Sequence, residues 1–273
     1  GGLLDVALAD DFAQSRVIYL TYSKPMGGDL SATAAARAVL SVDATSLSDV
    51  RDIFVQTPPS SSPMHYGSRV LPAEDWIYVT TGEHSTPQER VLAQDLSTTY
   101  GKIIRVTPDG DALADNPFTG QADVLPEIWS TGHRNIQGAA FRANDTLWSI
   151  EHGPRGGDEL NLITPGANYG WPVVSYGINY NGSEVGTGAF AHAPNGFTEP
   201  RYYWDPVIAP GGMIFYQGDM FADWQGDLLI GSLNPGALVR LELDGDTVVG
   251  EERLLTDIGR VRDVEQDRDG ALL

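Results

Sequence analysis

Turn residues punctuate this chain at short intervals, and between them run stretches rich in Val, Ile, Tyr, Trp and Leu. Val17–Tyr22, Trp76–Thr81, Lys102–Val106, Leu147–Ile150, Leu228–Gly231 and Leu238–Leu243 all have this form, bounded by Asp-Gly, Pro-Asp-Gly, Asn-Gly or Pro-Gly. Branched and aromatic side chains favour a pleated, half-buried backbone, and those dipeptides favour tight reversal, so the pattern predicts strands joined by hairpins. Helical periodicity is scarce. Ser31–Ala36 is a small-residue run too short to build a helix of consequence, and strand-like Ala38–Val42 follows it. The chain reads as all-β.

A longer repeat lies over this pattern. Five segments share one plan, an apolar strand, a polar turn and a second apolar strand: Leu3–Tyr22, Tyr66–Gly82, Gly138–Glu151, Gly212–Gly231 and Arg262–Leu273. Their starts are 63, 72, 74 and 50 residues apart. A β-propeller of four-stranded antiparallel blades with long, variable loops accounts for this spacing, whereas a sandwich has no ring to organise such loops. One propeller domain over residues 1–273 is expected, because all-β domains often exceed about 200 residues. The last segment stops at Leu273 in mid-strand and the first begins abruptly at Gly1. A propeller ring closes by pairing its terminal strands, so further strands are expected beyond both ends.

Charge and composition narrow the partners. Lys and Arg total 17 against 37 Asp and Glu, a formal net charge of −20, which disfavours nucleic acid and anionic membranes as partners. No run approaches the roughly 18 apolar residues needed to span a bilayer, so membrane insertion is not expected. The absence of cysteine removes disulfides, thiolate nucleophiles and Cys-ligated metals together.

The segment Thr131–Tyr180 concentrates charged and turn residues without strand or helix period, and loops at one face are expected there. The run Gly153-Pro154-Arg155-Gly156-Gly157 permits tight backbone whose carbonyls can turn inward toward a hard cation, with Asp158 and Glu159 as carboxylate donors beside it. A solvated acidic loop explains the same composition equally well. Arg260 and Arg262 stand two apart, so on a strand both guanidiniums share one face and suit a planar, multiply carboxylated ligand. His65, in a loop before a strand, has the ordinary pKa of a general base near neutrality.

Taken together, these stretches resemble the soluble quinoprotein aldose sugar dehydrogenases, relatives of soluble glucose dehydrogenase. The resemblance runs nearly end to end and rests on HYGSRV, GHRNIQG, EHGPRGGDELN, GANYGWP with INYNG, IAPGGMIFY and RVRDV, in family order. It implies a six-bladed propeller that binds pyrroloquinoline quinone and calcium and oxidises an aldose at C1 to a lactone. By the same resemblance His65 is the catalytic base. Arg134 and Asn135 contact the quinone near its reactive carbonyl, and Arg134 stabilises charge developing there. The carbonyls of Gly153 and Pro154 hold the quinone's calcium, and Glu159 and Tyr169 are ligands of a further calcium. Tyr180, Ser232, Leu233, Asn234, Arg260 and Arg262 occupy cofactor-binding positions. The resemblance also implies a periplasmic or secreted enzyme that hands electrons to an external acceptor; a monomer or homodimer is expected, with the oligomeric state left open by the sequence.

Three departures from the family pattern stand out. Asn234 replaces a usual lysine, and weaker quinone binding is expected from it. Met64 stands before the histidine where relatives carry Asp or Asn able to orient the imidazole. A cofactor-binding glutamine would fall just before Gly1. Two other readings compete: a calcium-dependent lactonase on a similar propeller, and a non-catalytic propeller that binds a sugar or a protein. The lactonase needs side-chain ligands from several blades, and it leaves the paired arginines without a task.

Overall fold

The short apolar runs become sixteen strands in a computed structural model that describes residues 2–73, 75–143 and 145–273. Leu3–Leu8 (β1), Val17–Gly27 (β2), Leu30–Leu40 (β3) and Leu47–Val55 (β4) form one four-stranded sheet. Gly67–Pro72 (β5), Ile77–Thr81 (β6), Lys102–Val106 (β7) and Ile128–Thr131 (β8) form a second. Ile136–Phe141 (β9), Leu147–Glu151 (β10), Asp158–Leu162 (β11) and Tyr202–Trp204 (β12) form a third. Pro210–Phe215 (β13), Leu228–Ser232 (β14), Ala237–Asp244 (β15) and Thr247–Leu254 (β16) form the fourth. Each is an antiparallel meander in which sequence neighbours pair, as hairpin connections require.

The chain divides into two compact units, Gly1–Ile136 with Pro165–Pro172, and Gln137–Thr164 with Val173–Leu273. In the first, Val17, Tyr19, Ile53, Val79, Ile104 and Ile128 belong to one buried cluster drawn from both sheets. In the second, Trp148, Leu160, Trp204, Phe215, Leu228 and Val239 do the same. Each fully buried aliphatic side chain contributes about 1.5–3 kcal/mol, and these clusters fix which strand faces turn inward.

The first unit also buries a lysine, whose pKa burial pushes down to about 7. Lys102 on β7 is fully enclosed, and its Nζ donates to the carbonyls of Leu92 (3.1 Å), Ala93 (2.9 Å) and Tyr100 (2.6 Å). Ala93 lies in the single-turn 3-10 helix Arg90–Gln94, and its carbonyl also accepts from Gly132 N and Thr131 Oγ1. Lys102 therefore ties this turn to β7 and to the segment that leads into Arg134.

The first four repeat segments each hold the expected strand pair. The fifth does not reach a ladder: Glu265 and Leu273 exchange backbone bonds and Asp267 N donates to Ala271 O, leaving a hairpin with one isolated bridge, Gln266 to Leu272. Three expectations are corrected. Ser31–Ala36 and the residues after it form one strand ending at Leu40, because the alanines lie flat and buried between β2 and β4, while Val42 is 92% exposed. Thr131–Tyr180 is not all loop but contains β9, β10 and β11, so Asp158 and Glu159 open a strand instead of lining a turn. Arg260 and Arg262 lie outside any strand. There the backbone bonds run crosswise, Val261 N to Ser232 O and Gly212 N to Arg262 O, in place of a ladder.

Candidate active site

In the first unit three segments cross at Gly82, the residue after β6. A Cβ there would lie 2.0 Å from the carbonyl oxygen of His65 and 3.0 Å from Asn135 Oδ1, so only glycine admits both. Gly82 also bridges to Asn135, Glu83 N donates to Arg134 O (3.1 Å), and Asn135 Oδ1 accepts from Gly67 N (3.1 Å). The residues His65, Arg134 and Asn135, distant in sequence, are thereby held on one backbone junction.

His65 itself sits at φ 49°, a left-handed conformation uncommon outside glycine. Its Nδ1 faces Glu83 Oε1 at 3.3 Å, and the Glu83 side chain is 1% exposed against 15% for His65. A carboxylate at Nδ1 keeps the proton on that nitrogen and turns Nε2 outward as the acceptor. The other Glu83 oxygen accepts from Ser85 N. Sequence reasoning looked for this orienting group at Met64, which is 51% exposed, and missed it at Glu83. The available signal was an acidic residue one glycine beyond an apolar strand, in TTGEH.

Arg134 is buried, its guanidinium 5.2 Å from the Trp171 ring centroid. The Trp171 indole Nε1 is buried without a hydrogen-bond partner among the described residues. Tyr169 is buried too and stacks on His133 at 4.6 Å.

The second unit builds its site from backbone. Asp158 is buried, and its carboxylate accepts from the amides of Gly153 (2.7 Å), Ile208 (2.9 Å) and Ala209 (2.7 Å). It clamps the turn and is not left as a cation donor. A Cβ on Gly153 would meet Gly157 C and O at 2.2 Å, so the turn closes on itself without room for a side chain. Gly153 and Pro154 are buried, and among the described residues no donor reaches either carbonyl. Two enclosed oxygens left open in this way fit a hard cation such as calcium.

Glu159 faces His192, Oε1 to Nε2 3.2 Å, and pairs across the strands with Glu151. Ser149 and Asn161 are the next pair on that face; Ser149 Oγ, Asn161 Oδ1 and His192 Nδ1 are buried without partners among the described residues. Burial pushes the Glu159 carboxyl up. It would lower the His192 imidazole, but the hydrogen bond and charge of Glu159 outweigh it, and the His192 pKa rises. Among the described residues no group of three His, Cys, Asp or Glu side chains has metal-binding geometry, so any cation here relies on mixed oxygen donors.

The remaining positions spread along the second unit. Ser232 ends β14 and is buried, its Oγ donating to Ile208 O (2.7 Å); Leu233 is half-buried and Asn234 exposed. Tyr180 is 73% exposed. Arg260 and Arg262 are exposed, and neither guanidinium has an ion-pair partner among the described residues, which leaves both open to a carboxylated ligand.

The all-β scaffold of four-stranded antiparallel sheets is similar to that of solved sugar dehydrogenases. The apo-form soluble aldose sugar dehydrogenase of Escherichia coli is 42% identical, with a TM-score of 0.94 over 100% of this chain and 78% of that one. The PQQ-bound aldose sugar dehydrogenase of Streptomyces coelicolor is 29% identical, with a TM-score of 0.74 over 97% of this chain and 70% of that one. Among curated relatives, aldose sugar dehydrogenase YliI of E. coli (strain K12) is 42% identical over all of this chain and 73% of its own length. The Glucose / Sorbosone dehydrogenase family matches residues 1–273. The chain belongs to that family and is an oxidoreductase of the sugar dehydrogenase class.

Proposed function

We propose that this chain oxidises aldose sugars at C1 to lactones, using pyrroloquinoline quinone and calcium, on one six-bladed propeller domain to which the four sheets contribute blades. The observation that carries this reading is the His65–Glu83 pair, fixed to the same junction as Arg134 and Asn135. A passive sugar binder has no need of a base so oriented, and a lactonase, which could use one, leaves Arg260 and Arg262 without a task.

When bound, the quinone accepts the hydride and calcium supplies Lewis acidity. The protein's own contribution is position and proton control. His65 Nε2, freed by the bond at Nδ1, takes the proton of the anomeric hydroxyl, and Glu83 stabilises the imidazolium that results. Arg134, buried against Trp171, supplies fixed positive charge in a desolvated setting, where it acts more strongly than in water. The Gly153 and Pro154 carbonyls would hold calcium, and Arg260 and Arg262 would meet carboxylates of the quinone. Asn234 offers no charge there, and weaker quinone binding is the consequence, read as a tighter dissociation constant in Asn234→Lys.

Electrons then pass to an external acceptor, and a periplasmic or secreted setting, as a monomer or homodimer, completes the reading. Among the described residues no helix is long and apolar enough to cross a membrane.

The test is reconstitution of the purified protein with pyrroloquinoline quinone and calcium, followed by dye reduction with several aldoses. Turnover should require both additions and fall about 10²–10⁴-fold in His65→Ala while the quinone still binds. Failure to bind the quinone, or hydrolysis of lactones without dye reduction, would overturn it.

A further inference from the structure

His84 follows Glu83 and is completely buried, yet sugar oxidation as described gives it no role. It adopts φ 61°, the second left-handed histidine in this junction, and such strain persists only where the surroundings enforce it. Its ring is enclosed edge-on by Tyr66, with centroids 5.1 Å apart, and Tyr100, at 5.2 Å. Both ring nitrogens face acceptors: Nδ1 lies 2.9 Å from the carbonyl of Met64, and Nε2 lies 2.7 Å from Gln56 Oε1.

The Gln56 amide is fixed independently. Its oxygen accepts from Thr33 N (3.3 Å) and its nitrogen donates to the carbonyls of Gly82 (2.8 Å) and Thr99 (3.4 Å). A flipped amide would set oxygen against oxygen at both carbonyls. The His84 backbone is held as firmly, with its N–H directed to His65 O at 3.4 Å and its carbonyl accepting from Ser62 Oγ at 2.5 Å. Two facing acceptors favour a proton on each nitrogen. Burial opposes this by lowering the His84 pKa against the charges of Glu89 and Glu83 and the Met64 carbonyl, with His65 adding to it. Nδ1–H is present both in the imidazolium and in the Nδ1 tautomer.

The carbonyl that His84 grips belongs to the residue immediately before His65. His84 meets the carbonyl of the peptide plane that enters His65 through its ring and the carbonyl of the plane that leaves it through its N–H, and the two contacts together restrict the direction in which the His65 side chain departs.

We propose that His84 is the positioning residue of His65: through Nδ1–H to the Met64 carbonyl it holds the loop so that His65 Nδ1 meets Glu83 and Nε2 stays available. This deepens the dehydrogenase reading and rests on it for its catalytic consequence. The structural arrangement stands apart from that reading, and it can be measured without cofactor.

Three substitutions separate the donor from the space it fills. His84→Asn keeps an N–H near the Nδ1 position and tolerates the left-handed backbone. His84→Gly relieves the backbone and removes the donor. His84→Phe keeps the ring volume and removes the donor. In the cofactor-free proteins, ¹⁵N shifts of the His65 ring report which nitrogen carries the proton. Wild type and His84→Asn should show the proton on Nδ1, and the Gly and Phe variants a mixture of tautomers. In the protein loaded with pyrroloquinoline quinone and calcium, the Gly and Phe variants should lose about 10-fold to 100-fold in kcat with sugar KM within about twofold, and His84→Asn should retain kcat. Thermal unfolding of each variant confirms that it is folded. Identical His65 ring shifts in all four folded proteins would overturn the proposal, as would equal loss in Asn, Gly and Phe. Absence of sugar oxidation in wild type would instead overturn the function reading, with the ring shifts still deciding the role of His84.

Discussion

The His65 junction and the Gly153 turn reach precision by opposite routes. Around His65, side chains hold side chains: Glu83 meets the imidazole and Gln56 meets His84. At Gly153, one buried carboxylate gathers three backbone amides and leaves two backbone carbonyls open. The first arrangement presents a titratable nitrogen, which must be aimed. The second presents oxygens that carry no proton at any working pH, which need only be kept dry and close. A side chain that must be aimed and a turn of open carbonyls therefore make different demands on sequence, and substitutions should expose the difference.

The largest effect is expected at the carboxylate that organises the backbone site. Asp158→Ala leaves three amides without their charged acceptor, and a loss of about 3–5 kcal/mol in unfolding free energy should follow. Calcium titration of the folded fraction should weaken in parallel. A stable protein with unchanged calcium affinity would show that the turn holds itself.

On the other side of the comparison, Glu83→Gln should leave folding nearly intact and lower kcat about 100-fold, because the amide no longer stabilises the imidazolium. Steady-state kinetics on the reconstituted protein decides this, and an unchanged kcat would remove Glu83 from the proton path. Lys102→Met lies between the two in kind. It removes a donor from three carbonyls, and about 1–3 kcal/mol of stability should be lost in denaturant unfolding. Because Ala93 O also meets Gly132 N, some loss of Arg134 placement should accompany it.

The smallest effect concerns pH. Burial alone would raise the Glu199 carboxyl, but the Tyr176 hydroxyl, the amides of Ala193 and His192 and the His192 charge outweigh it, and its pKa is lowered. The carboxylate's contribution is therefore complete above the ordinary carboxylate range and is lost as pH falls through the lowered value. Unfolding free energies measured between about pH 5 and pH 3 should drop more steeply in wild type than in Glu199→Gln, by under about 1 kcal/mol.

The fold was legible wherever alternation met turn chemistry, as at Val17–Tyr22 and Leu238–Leu243, each of which lies within a strand. It was illegible where packing overrode local preference. The alanines of β3 have little strand propensity of their own and become strand because β2 and β4 close on both edges. At β11, charged residues masked a buried strand, since Asp158 and Glu159 find partners only in the folded sheet. His65, Arg134 and Asn135 were readable as motifs, and the structure brings them to one junction. Glu83 and His84 were not, because their importance lies in contacts to residues 18 to 28 positions away. Arg260 and Arg262 illustrate the reverse case: a two-residue spacing implies a shared face only on a strand, and they do not lie on one.

Of the two lysines in the chain, Lys102 is sealed inside the first unit and Lys24 is paired with Asp52. To any reagent that seeks a lysine amine, the described surface offers one target, already engaged by a carboxylate. Reducing sugars form Schiff bases with such amines, so the described residues present little side-chain surface to slow glycation.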